Sequence, residues 1–125
     1  MKKAAFLFLL LAAGCATAPA PYAPVRDIAY QARGLRQFWI LTIGGDRIVM
    51  HDADGEDRIW PRTLPRTEGG RRIWASGEGA GGIRIEARPG PCPTENRALY
   101  ADFVTVHVGQ VELDGCGGRL IRRRD

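Results

Sequence analysis

From Val25 onward no stretch of twelve residues carries a helical period, while short β-branched and aromatic runs recur between breaks rich in glycine or proline. Such a pattern offers no apolar stripe for a helix to bury, but it offers alternate side chains for strands to bury. The chain therefore reads as all-β. Eight short strands are expected, over residues 26–31, 37–43, 46–51, 57–60, 71–76, 82–88, 103–108 and 110–113. That many in a domain of this size predict a small antiparallel β-barrel or sandwich.

Two segments carry the pattern most plainly. Ile83, Ile85 and Ala87 alternate with Arg84, Glu86 and Arg88, and Val104, Val106 and Val108 alternate with Phe103, Thr105 and His107. Each strand should have one dry face. Gly44-Gly45 and Gly109-Gln110 are too short for anything but tight reversals between antiparallel neighbours. Residues 77–82 read as a longer turn and 61–70 as an exposed loop, and 94–99 could form a helical turn with Thr94 as its N-cap.

The N-terminus sets the expected address. Met1-Lys2-Lys3, the apolar run 4–13 and Gly14-Cys15 have the layout of a bacterial lipoprotein signal peptide. The apolar run is too short to span a bilayer as a helix. Residues 1–14 are read as the leader, and Cys15 as the lipidated residue that becomes the new N-terminus. The alternative is a plain thiol beside an ordinary cleavage site. Residues 16–24 hold three prolines and no charge, which suits an extended tether, so a single β-domain is expected over 25–125. Alanine after Cys15 points toward the outer membrane, with the protein facing the periplasm.

Export shapes the reading of the other cysteines. Cys92 and Cys116 remain as an even pair in a compartment that favours oxidation, and a disulfide is expected in preference to two reduced thiols. Removing Lys2 and Lys3 lowers the formal charge from +4 to 16 − 14 = +2, and all sixteen remaining cations are arginine. Nucleic acid is not an expected partner. Arg122-Arg123-Arg124, after Arg119, is either a solvated tail or a contact for anionic headgroups or lipopolysaccharide.

No catalytic constellation emerges. His51 and His107 have no serine or cysteine motif beside them, and Asp52 and Asp54 crowd one turn rather than facing each other across a cleft. The run 52–57 invites a calcium reading. It fails the EF-hand spacing, because glycine stands at the fourth loop position and Thr63 at the twelfth, so Asp54-Gly55 reads as a hairpin turn. No zinc spacing and no cofactor site is expected. Phe38, Trp39, Trp60, Trp74, Tyr100 and Phe103 are the remaining lead, as core or as a binding surface.

Gly34-Leu35-Arg36-Gln37-Phe38-Trp39, Cys92, Tyr100 followed by Val104-Thr105-Val106, and Leu113-Asp114-Gly115-Cys116-Gly117 form a recognisable set. Together they resemble an uncharacterised family of bacterial envelope β-domains, some of them lipoproteins, that can occur beside META-type domains. That family opens on Gly-Asn-Glu-Pro-Phe-Trp. It closes with a cysteine, a Tyr-Pro, a valine-rich strand and a Gly-Cys. This chain differs at Leu35, Arg36 and Gln37, lacks the proline after Tyr100, and has its own sequence over 94–97. The resemblance implies a Cys92–Cys116 disulfide and no established activity. A more distant similarity is to the membrane-bound inhibitors of c-type lysozyme, which insert a Ser-Gly-x-x-Tyr loop into the enzyme. Here Ser76-Gly77-Glu78-Gly79-Ala80 ends in alanine where that loop has tyrosine.

The expectation is thus a non-enzymatic envelope lipoprotein, held to the membrane by its N-terminal lipid, whose β-domain binds an envelope protein. A lysozyme-inhibitor-like module and a barrel that binds a small ligand or metal are the alternatives.

Overall fold

The computed structural model describes Val25 and residues 27–123. The expected leader 1–14, Cys15 and the tether 16–24 lie outside the described residues, as do Arg26, Arg124 and Asp125. Nine strands follow one another: β1 (Ile28–Gly34), β2 (Trp39–Gly44), β3 (Arg47–Asp52), β4 (Asp57–Pro61), β5 (Arg66–Glu68), β6 (Arg71–Ser76), β7 (Ile83–Pro93), β8 (Ala98–Val108) and β9 (Val111–Arg123). They form one antiparallel sheet in the order β4-β3-β2-β1-β9-β8-β7-β6-β5. Two meanders therefore join where the first strand pairs with the last, and the sheet curls into a half-barrel rather than splitting into a sandwich.

The turns follow the local chemistry. Gly45 and Gly109 adopt φ of 55° and 60° in the tight β2–β3 and β8–β9 reversals, a conformation glycine accepts without a Cβ penalty. The Asp52–Asp57 run is the β3–β4 turn. There the Asp54 amide donates to Asp52 Oδ1 and the Gly55 amide to the Asp52 carbonyl, both at 3.0 Å. Inward side chains fill the barrel, and Trp39, Leu41, Ile48, Met50, Ile85 and Val106 are fully buried. The alternation expected at 83–88 and 103–108 is observed, with even-numbered β8 residues inward.

β4 and β5 are consecutive, yet they occupy opposite edges of the sheet. Side chains bridge the seam instead of a backbone ladder. The Trp60 indole N–H donates to the Gly81 carbonyl at 2.8 Å, and the Ser76 hydroxyl donates to the Pro61 carbonyl at 2.7 Å. Ser76 is buried by this contact, while Glu78–Gly81 remain exposed as a rim.

Three expectations are corrected. A ninth strand, β5, lies within the expected loop 61–70; it pairs with Arg71–Ile73 of β6 across Gly69 and Gly70, whose φ values of 56° and 80° suit a two-residue turn. Residues 94–99 form no helical turn. The Thr94 hydroxyl accepts from the Ala98 amide at 3.1 Å, and the Thr94 amide donates to the Ala98 carbonyl at 2.9 Å, closing the β7–β8 hairpin. Arg122 and Arg123 are not a loose tail, because β9 continues through them, paired with Leu99 and Ala98.

β7, β8 and β9 bend together. One register irregularity in each pairing falls between the same two rows, Pro89–Asp102–Gly117 on one side and Cys92–Tyr100–Leu120 on the other, and the β8–β9 pairing has a second between Leu99 and Tyr100. Aligned bulges let neighbouring strands turn as a unit. Beyond them, the hairpin arm folds back over the outer face of the barrel. Cys92, Ala98, Tyr100 and Cys116 form a second small core there, with Leu35 and Phe103 packed against it. The Cys92–Cys116 disulfide fastens the arm to β9.

Candidate functional site

The folded-back arm builds a groove. Its hairpin tip, Thr94–Asn96, faces the β1–β2 connection, and between them lies a cleft of about 360 Å³ lined by Arg33, Leu35, Phe38, Ile40, Glu95 and Asn96. Arg33 lies over the Tyr100 ring at 4.5 Å, a cation–π contact that positions it as one wall. Its Nη2 donates to Gln31 Oε1 at 3.4 Å, while its Nε is shielded from solvent without a hydrogen-bond partner among the described residues.

The groove continues onto the outer face of the first meander. Pairing of β2, β3 and β4 places Ile40 beside His51, and Val49 beside Ile59, all pointing away from the barrel core. Phe38 is 54% exposed and Ile59 47% exposed, so this face presents large apolar side chains to its surroundings. Phe38 stands edge-on to His51, with ring centroids 6.0 Å apart. His51 Nδ1 is in turn 2.5 Å from Oδ1 of Asp57, its cross-strand partner, which orients the imidazole toward β4. An apolar centre with polar groups at its margin is the layout of a recognition surface.

A second cleft opens at the other end of the barrel. β1 pairs with β9 only over Ala32–Gly34, and below that the two strands diverge around a space of about 430 Å³. At its floor is Asp102, the one buried carboxylate among the described residues. Asp102 Oδ2 accepts from the Tyr30 hydroxyl at 2.7 Å and from Arg72 Nη2 at 3.1 Å, and Arg72 also lies over the Tyr30 and Trp74 rings. Burial, then the hydrogen bond to Asp102 and the charge of its carboxylate, push the Tyr30 phenol well above its ordinary range; Arg72 opposes them. The phenol stays a proton donor, and the group is a satisfied structural cluster.

Of the residues singled out in the sequence, Cys92 and Cys116 are bonded. His51 and His107 lie on the outer face in separate strands, His51 beside Asp57 and His107 3.8 Å from Glu112. Trp39, Trp60, Trp74 and Tyr100 are buried, Phe103 is half-buried, and Phe38 is exposed. Among the described residues no group of three or more His, Cys, Asp or Glu is placed to hold a metal ion. The motif residues separated by most of the chain come together at one corner. A Cβ on Gly34 or Gly115 would stand 2.6 Å from the Trp39 indole, so both glycines admit that ring. Comparison with protein-family models, with curated proteins and with solved structures finds no match for this chain.

Sequence reasoning missed the groove and the buried Asp102 cluster. A signal for the cluster was present: Asp102 occupies an inward position in the alternation of Val104, Val106 and Val108, and an acid there requires partners.

Proposed function

We propose that this protein is a non-enzymatic lipoprotein of the bacterial envelope, anchored through Cys15 in the outer membrane and facing the periplasm, whose β-domain binds an envelope protein. The observation that carries the binding reading is the outer face of β2–β4, where exposed Phe38 and Ile59 continue into the groove beneath the hairpin tip. Isolated exposed apolar residues are ordinary. A run of them beside a formed cleft, bordered by Arg33, Glu95 and Asn96, is the kind of surface that partners cover.

The anchor rests on the order of charges, apolar run and cysteine in residues 1–15. Cys15→Ser removes the only thiol available for the lipid while leaving the domain untouched. Cell fractionation should then move the protein from membranes to the soluble periplasmic fraction with an unchanged melting temperature. Retention of Cys15→Ser in carbonate-washed membranes, at the level of the unaltered chain, would rule out this anchor.

A further inference from the structure

The end of β9 combines exposed apolar side chains with cations that the fold leaves unpaired. Arg47, Arg58, Arg66, Arg71, Arg72 and Arg84 each pair with a carboxylate. Arg119, Arg122 and Arg123, like Arg33, Arg36, Arg62 and Arg88 elsewhere, are in no ion pair among the described residues, and here three of them fall within five residues of one strand. Beside them Leu120 is 42% and Ile121 44% exposed. This stretch is also a free sheet edge, since β1 pairs with β9 no further than Gly117.

The first residue of this stretch, Arg119, lies beside the start of β1, where the chain enters the domain. Ile28, at the start of β1, is 56% exposed and lines one cleft together with Gly118 and Arg119. Nine residues, 16–24, separate the proposed lipidated Cys15 from Val25. Even fully extended they reach only about 30 Å. The lipid would therefore hold this end near the bilayer at high local concentration, where weak contacts become effective.

We propose that the β9 end, with Ile28 beside it, docks on an anionic phospholipid surface: Arg119, Arg122 and Arg123 meet headgroup phosphates, and Leu120 and Ile121 enter the interfacial layer. The inference rests on the lipid anchor proposed above and adds to it a second contact with the bilayer. Protection of a free edge by charge explains arginines there. It does not explain Leu120 and Ile121 exposed among them. Each arginine near an anionic surface favours the docked state about fivefold.

The test uses the full-length lipidated protein, purified from membranes and placed in vesicles of phosphatidylethanolamine with phosphatidylglycerol, or in neutral phosphatidylcholine vesicles. Amide exchange is followed over 27–30 and 118–123, with the β3–β4 turn as internal control. Docking predicts exchange slowed by roughly tenfold or more in the anionic vesicles at 118–123, unchanged at the control turn. The triple variant Arg119→Gln, Arg122→Gln and Arg123→Gln should abolish the difference while retaining the fold. Equal exchange in the two vesicle types, or persistence of the difference in the triple variant, overturns docking. Failure of the anchor has a separate signature: Cys15 lacks acyl mass and the protein does not sediment with neutral vesicles. The anionic comparison then reads docking by itself.

Discussion

Reduction of the Cys92–Cys116 bond should lower the melting temperature by about 10–20 °C. The two residues are 24 apart in sequence, and closing a loop of that size is worth about 3.5 kcal/mol on the chain-entropy account. The bond also has a local task here. It fastens the bent ends of β7, β8 and β9 over a cluster that contains little besides Ala98, Tyr100, Leu35 and Phe103. Without it the arm has only a small apolar area to hold it down, and the groove walled by Thr94–Asn96 loses its shape. Thermal denaturation with and without reductant, repeated on Cys92→Ser with Cys116→Ser, reads the effect. Coincident melting curves would show that the bond contributes nothing to the fold.

Trp39→Ala should cost about 3–5 kcal/mol, a large part of the stability of a domain of this size. Its indole is 2% exposed and lies within the main core, against positions 34 and 115 where only glycine fits. The cavity left behind cannot be filled by those glycines, because they have no side chain to move. Phe38→Ala, one residue earlier and exposed, should change stability by less than about 1 kcal/mol. Urea midpoints of the two variants give the comparison. Equal losses would contradict the assignment of one aromatic to the core and its neighbour to the surface.

The parts of this fold that were legible in the sequence are those with one wet and one dry face. Ile83–Arg88 and Phe103–Val108 alternate because the strand buries every second residue, and Gly45 and Gly109 mark the reversals they make. β5 was invisible for the complementary reason: Arg66, Thr67 and Glu68 are all exposed, so no alternation exists to detect. The extensions of β7 and β9 were hidden by residues that ordinarily break strands. Pro89, Pro91 and Pro93 are tolerated because β6 has already ended beside them, leaving β7 an edge where a missing amide costs little. Gly115 and Gly117 lie in a strand because Trp39, and the Tyr30 hydroxyl with Val104, occupy the space a Cβ would need. The groove itself could not be read, since it joins residues 33–40 with 94–96 through a bend that depends on aligned bulges in three strands.

The most direct test of the proposed role is a crosslink map of the binding face. A photoreactive residue is placed at Phe38 in the lipidated protein, and a second is placed at Val111, which is exposed at the start of β9 and is not among the residues lining the groove. Irradiation in cells should join the Phe38 site to one envelope protein, with the Val111 site giving no such adduct, and Ile59→Asp should abolish the adduct without shifting the melting temperature. Equal yields from the two sites, or an adduct that survives Ile59→Asp, would contradict a partner bound on the outer face of β2–β4.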